Sequence, residues 1–209
     1  MKKNNIQEKT WLGKFGDDYC KRNVVTEKEI KDCEKIFKDI FKKVSTNKIN
    51  RVLEVGCNQG RNLLAMQNVF GCECFGIEPN KSARESIKKK DGIVNDNIIE
   101  AFADDIPFKN SFFDLVFTSV VLIHIPNNKL MKCIDEIYRV SKKYILTIEY
   151  FSPNNEEVEY RGKKELLFKR DYGSAFLDKY PELKLIDYGF FWKRVTLQDN
   201  VNWWLFKKR

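Results

Sequence analysis

Arg51-Val-Leu-Glu-Val-Gly-Cys-Asn-Gln-Gly-Arg-Asn-Leu63 decides how this chain folds. Arg51 to Val55 is apolar, partly β-branched and short, the pattern of a buried strand. Gly56 and Gly60 bracket a tight turn, and a helical pattern begins at Arg61. A strand feeding a glycine turn feeding a helix makes a concave nest of backbone N–H groups, where a polar ligand lies against the main chain. Glycine belongs there because a Cβ would hold that ligand away. Asn58, inside the turn, tolerates a left-handed backbone better than most residues.

Outward from this turn, Glu73-Cys-Phe-Gly-Ile-Glu78 is a second apolar run closed by an acid. An acid so placed accepts hydrogen bonds from both ribose hydroxyls of a nucleoside. Ala103-Asp-Asp-Ile-Pro-Phe108 and the strand Phe113-Asp-Leu-Val-Phe-Thr-Ser119 follow in order. From the first strand through the fourth, this series resembles the class I S-adenosylmethionine-dependent methyltransferases. The resemblance implies a Rossmann-like α/β fold, a doubly wound, mostly parallel seven-stranded sheet closed by an antiparallel C-terminal hairpin. It also implies S-adenosylmethionine as cofactor, with Glu54, Gly56, Cys57, Asn58 and Gly60 around its methionine end. Glu78, with Pro79 after it, would bind the ribose diol. Phe102, Ala103 and Asp104 would frame the adenine, Phe102 packing on the base and Asp104 or the Ala103 backbone reading its edge. Asp105 is either a loop cap or a further contact. Ser119 and Val120 end the fourth strand, where the family leaves backbone near the sulfonium. No Asn/Asp-Pro-Pro-aromatic tetrapeptide follows, which counts against a DNA adenine substrate.

Residues 1–23 read as an N-terminal segment outside the main fold, and 24–209 as a single methyltransferase domain. Trp11-Leu-Gly-Lys-Phe-Gly-Asp-Asp-Tyr-Cys-Lys-Arg-Asn23 concentrates aromatics, acids and a basic pair around two glycines, the composition of a lid. Tyr19 and Arg22 are expected to reach the cofactor's carboxylate. A helix over 26–44 opens on a Thr26/Glu29 capping box and places Ile30, Cys33, Ile36, Phe37, Ile40, Phe41 and Val44 on one face. The spacing then predicts a helix from Arg61 to Phe70 stopped by Gly71, a strand at 73–77 and a helix from Asn80 to Lys90. A turn at Asp91-Gly92 and strands at 98–101, 113–121 and 144–149 follow, with a helix over 128–140 before the last. Leu183 to Trp192 and Val201 to Phe206 are the closing hairpin.

The chain has 209 residues, 43% of them hydrophobic, with 16 phenylalanines, enough for one real core. No apolar run reaches the roughly 18 residues of a membrane span, and the basic start, Met-Lys-Lys-Asn-Asn, precedes no apolar h-region. A cytoplasmic location is expected, with no membrane and no nucleic-acid partner. The six cysteines have neither disulfide nor zinc spacing, so they read as small apolar residues and no metal is expected. The net charge of +8 comes mostly from scattered lysines. That scatter favours a surface that keeps the protein soluble over an attractive field for an anion.

His124 is the only histidine, five residues past Ser119. It is either the base for a hydroxyl acceptor or a histidine packed at a strand end. Two further stretches narrow the resemblance. Trp11-x-Gly-x-Phe-Gly-Asp-Asp-Tyr-x-x-Arg-Asn23 is one; the other is Glu149-Tyr-Phe-x-Pro153 with Tyr160-Arg-Gly162 and Leu167-Phe-Lys-Arg-Asp171. They look like the methylases associated with pseudaminic acid biosynthesis, a nine-carbon sugar pathway. The acceptor expected on that basis is a small anionic sugar or nucleotide-sugar held by Arg161 and Arg170, with Tyr150 and Tyr160 beside it and Phe151 and Trp192 nearby. A nicotinamide oxidoreductase is disfavoured, because Gly56-Cys-Asn-Gln-Gly60 is not G-x-G-x-x-G. An enzyme that cleaves or cyclises S-adenosylmethionine without transferring its methyl stays open.

Overall fold

In the computed structural model, which describes residues 5–44, 49–87, 97–196 and 199–209, two short helices precede the sheet. These are α1 (Ile6–Leu12) and α2 (Lys14–Arg22), joined at Gly13. Helix α3 (Glu27–Ile40) starts on the expected box: Thr26 Oγ1 accepts from Glu29 N, and Glu29 accepts from Thr26 N. It ends in a 3-10 turn, Phe41–Lys43. Strand β1 (Arg51–Val55), α4 (Arg61–Phe70), β2 (Glu73–Ile77) and α5 (Lys81–Ile87) follow as the periodicity requires. Gly71 stops α4 at φ 62°, and Asn80 Oδ1 caps α5 by accepting from Ala83 N. The end of that helix and the Asp91-Gly92 turn lie outside the described residues.

Strand β3 is only Ile98–Ile99, shorter than the expected 98–101, while β4 (Phe113–Ser119) and α6 (Asn127–Val140) are close to expectation. Strand β5 (Ser141–Glu149) starts three residues earlier than its apolar run. The hairpin of β6 (Glu156–Tyr160) and β7 (Lys163–Lys169) and the helix α7 (Tyr172–Lys179) were not read from the sequence. Strands β8 (Lys184–Phe191) and β9 (Val201–Lys207) flank a single helical turn, α8 (Lys193–Thr196), and close the fold.

The seven-stranded sheet runs β3-β2-β1-β4-β5-β9-β8. β1 pairs in parallel with both β2 and β4, and β9 is antiparallel to β5 and β8. The fold is therefore the expected α/β arrangement with its antiparallel closing hairpin. Strands buried on both faces need apolar cover on both, and two core layers supply it. One packs Phe37, Ile40, Leu63 and Met66 from α3 and α4 against the sheet; the other packs Ile134, Ile137, Tyr172 and Phe176 from α6 and α7. Strand order reverses between β1 and β4. In open α/β sheets that reversal leaves a crevice beyond the carboxyl ends of the strands.

Candidate functional site

A cavity of about 510 Å³ occupies that crevice. Its floor is the turn after β1. Gly56 sits at φ 74°, where an added Cβ would lie 2.6 Å from Val121 Cγ2, so only glycine fits. Asn58 adopts φ 45° and Gly60 φ 77°, the left-handed backbone that the turn requires. All of Gly56, Cys57 and Asn58 line the cavity; Gly60 lies just behind them as the cap of α4.

Three buried acids line this space, Glu54, Glu78 and Asp104. Glu54 is 2% exposed, and Asn62 Nδ2 donates to its Oε1 at 2.7 Å. Its Oε2 is buried with no hydrogen-bond partner among the described residues. Burial pushes the Glu54 carboxyl up to about 8. Glu78 ends β2 and is held from both sides: Asn58 N donates to Oε2 at 2.9 Å and Asn80 N to Oε1 at 2.8 Å. Burial raises the Glu78 pKa and those two N–H groups oppose the rise. Each oxygen can accept a further hydrogen bond, because a carboxylate oxygen accepts more than once. Pro79, Phe102, Ala103 and Asp104 continue the wall. Asp104 is also ion-paired at 3.0 Å with Lys129, which bonds Glu8 of α1 as well.

Beyond β4 the chain is strained. Val120 takes φ 58°, a left-handed conformation that costs a β-branched residue about 1–2 kcal/mol. Glu149, fully buried at the end of β5, stabilises this bend by accepting from Val121 N, Leu122 N and Ile123 N at 3.1–3.3 Å. The 3-10 turn Leu122–His124 that it caps carries His124 to the cavity. His124 Nδ1 is 2.6 Å from Leu166 O, and since a carbonyl only accepts, Nδ1 bears the proton. Burial holds the His124 pKa down to about 4, so the ring is neutral and Nε2 presents its lone pair.

The N-terminal helices form the roof. Trp11, Gly16, Tyr19 and Cys20 line the cavity. Asn80 Nδ2 donates to Trp11 O and to Asp17 Oδ1, Ser82 Oγ donates to Asp17 Oδ1, and Gln59 Nε2 donates to Cys20 O and Asn23 O. Gln7 Nε2 reaches Glu165 O on β7. Trp11 stands 4.7 Å from the His124 ring and edge-on to Phe15 and Tyr19.

Several expected site residues lie elsewhere. Arg22 is exposed at the end of α2 and outside the cavity lining, whereas Arg61, the first residue of α4, is within it. Arg170 is 6% exposed and spent internally: it donates to Ile125 O, Asn155 Oδ1, Asn127 Oδ1 and Tyr172 OH. Its guanidinium is committed to these internal partners and does not line the cavity, so it is not placed to meet an acceptor there. Arg161 sits at φ 52° beside Gly162 at φ 75°, forming a hairpin turn with left-handed backbone at both central positions. Its guanidinium lies 5.7 Å over the Tyr160 ring, outside the cavity lining. Tyr160 itself is 5.5 Å from His124 and 6.0 Å from Phe15. Tyr150 donates to Asp199, which lines the cavity, while Phe151 and Trp192 are exposed at 41% and 53%.

Residues 53–144 match the sequence family described as a methyltransferase domain. An uncharacterized protein of Haemophilus influenzae is 29% identical over 96 residues, 44% of this chain and 38% of that protein. The matched stretch therefore spans less than two thirds of that relative. Among solved structures, the fold is similar to a SAM-dependent methyltransferase of Leishmania major, with TM-score 0.72 and 15% identity over 98% of this chain and 87% of that one. It is also similar to magnesium protoporphyrin IX methyltransferase from Synechocystis, crystallised with bound SAM, with TM-score 0.69 and 10% identity over the whole of both chains. At such identities the structural likeness concerns the fold.

Proposed function

We propose, from a methyltransferase domain at residues 53–144, that the chain is an S-adenosylmethionine-dependent methyltransferase acting on a small molecule. One observation carries the reading. Two buried acids of different design, Glu54 with an unmet acceptor and Glu78 braced by two backbone N–H groups, face one cavity across a glycine turn. The unmet Glu54 oxygen suits the cofactor's ammonium group, and the turn from Gly56 to Gly60 leaves room for its methionine end. Glu78 suits the ribose diol, since two hydrogen bonds to a fixed carboxylate are strong and directional. Phe102, Ala103 and Asp104, which line the same cavity, are assigned to the adenine. Arg61 is assigned to the cofactor's carboxylate in place of Arg22, because Arg61 and Tyr19 line the cavity and Arg22 does not. When bound, the cofactor supplies a methyl group on a positively charged sulfur.

The acceptor is proposed to be a small anionic sugar or nucleotide-sugar of the surface-glycan type. The β6–β7 turn supports this reading in place of the Arg161–Arg170 pair. It sets Arg161 over Tyr160 and Lys163 Nζ 5.6 Å over Phe15, two cations at the rim of an aromatic cluster. The net charge of +8 favours anion approach. A location in the cytoplasm belongs to the same reading.

Incubation with S-adenosylmethionine carrying a labelled methyl tests the proposal. With nucleotide sugars and sugar acids offered against neutral amines, label should move to an anionic acceptor and leave S-adenosylhomocysteine. Breakdown of the cofactor at full rate without any acceptor would instead favour an enzyme that cleaves or cyclises it.

A further inference from the structure

Among the described residues, two buried side-chain polar atoms lack a hydrogen-bond partner. One is Glu54 Oε2, which the cofactor reading uses. The other is the indole Nε1 of Trp11, which that reading leaves unexplained. A buried donor without a partner costs about 1–3 kcal/mol, so it points to a group that completes it.

Trp11 reaches its position by design of the roof. Its carbonyl is fixed by Asn80, and Gly16 allows α2 to press on that same carbonyl, where an added Cβ would lie 2.0 Å from it. Its ring lies 4.7 Å from that of His124, at 59°, and both rings line the cavity. His124 has its Nδ1 proton committed to Leu166 O, and nothing among the described residues bonds its Nε2. The ring with the unpartnered donor and the ring with the unbonded acceptor are therefore neighbours, past the end of β4, with Phe15 and Tyr160 packed around them.

We infer that Trp11 Nε1 and His124 Nε2 form a two-point clamp for a hydroxyl group of the acceptor, making the chain an O-methyltransferase whose first helix supplies half of the acceptor site. This rests on the cofactor reading above. A hydroxyl alone matches both partners and keeps a nucleophile: it accepts from the indole with one lone pair, donates its proton to Nε2, and attacks with the other lone pair. A carboxylate has no proton for Nε2, and an ammonium has no lone pair for the indole. A neutral amine offered to both would spend on Trp11 the lone pair that must attack. In the transfer, the oxygen lone pair forms the bond to the methyl carbon, and the pair of the carbon–sulfur bond stays on sulfur. The hydroxyl proton passes to Nε2 and from there to solvent. Trp11 orients the oxygen, which fixes the line of attack that methyl transfer needs.

Full-length protein labelled with ¹⁵N at its four tryptophans tests the clamp. Calorimetry with S-adenosylhomocysteine comes first, on wild type and on Trp11→Phe. No binding by wild type removes the cofactor reading; binding by both variants isolates the acceptor question. Trp11→Phe then identifies the Trp11 indole resonance by its loss. Cyclohexanol, cyclohexylammonium and cyclohexanecarboxylate share one ring and differ in the group offered. With the homocysteine product bound, cyclohexanol should move the Trp11 resonance saturably and bind about tenfold more tightly than either charged analogue. That preference should vanish in Trp11→Phe. A Trp11 resonance unmoved by cyclohexanol, or moved equally by the carboxylate, overturns the inference.

Discussion

Glu54 couples burial to chemistry more directly than any other residue of the site. Its carboxyl is raised from 4.5 to about 8, and that of Glu149 to about 7, both by burial. Between the unfolded and folded values the native protein holds protons that the unfolded chain has released. The stability these two groups confer is thus full below about pH 4.5 and is lost as pH rises through 7 to 8. A ligand ammonium at Oε2 favours the ionised form, so binding below about pH 8 should expel a proton from Glu54. Affinity should then climb toward pH 8, by at most about tenfold per unit. Calorimetry of S-adenosylhomocysteine in buffers of different ionisation heat reads the proton. Glu54→Gln should release none, and release equal to wild type would break the assignment. Glu54, Gly56, Asn58 and Glu78 were legible in the sequence because adjacent residues dictate a strand, a left-handed turn and a strand end. The Asn80–Trp11 and Lys129–Glu8 bonds were not: they join residues 69 and 121 positions apart, and no local pattern announces such pairings.

At the scale of elements, the N-terminal helices and the β6–β7 hairpin distinguish this chain from a bare α/β sheet. The aromatic and glycine content of residues 11–23 suggested a covering segment; in the fold, Asp17 of α2 accepts from Asn80 and Ser82, which docks that helix. Gly16→Ala should force Trp11 O and Asn80 apart, an overpacking worth about 1–3 kcal/mol. Limited proteolysis should cut before Val24 sooner in the variant, and S-adenosylhomocysteine should bind more weakly. Cleavage and affinity identical to wild type would mean that the segment is packing alone. The hairpin escaped the sequence reading for a reason. Glu156-Glu-Val-Glu-Tyr160 is mostly polar and half-exposed, and its turn places arginine, not asparagine or aspartate, in the left-handed position. Of this hairpin, the sequence reading singles out only Tyr160 and Arg161, as part of an anion site. Arg170 shows the hazard: its buried role depends on Asn127 and Asn155, which meet it only in the folded chain.

At the scale of the whole molecule, the sheet order β3-β2-β1-β4-β5-β9-β8 places β1 beside β4 and opens the crevice where both acids converge. That much followed from the alternation of short apolar runs with helical periods, since parallel strands need crossover helices and leave few other topologies. The identity of the acceptor does not follow from it, because loops and the roof shape that part of the cavity. The central claim is that this crevice holds S-adenosylmethionine through Glu78. Titration calorimetry of wild type and Glu78→Ala with S-adenosylhomocysteine, and with NAD as control, tests it most directly. The account predicts binding of the first by wild type, none of NAD, and a loss of about 1.5–3 kcal/mol in Glu78→Ala from the missing charged hydrogen bonds to the ribose. Full-strength binding by Glu78→Ala, or no binding by wild type, would contradict it.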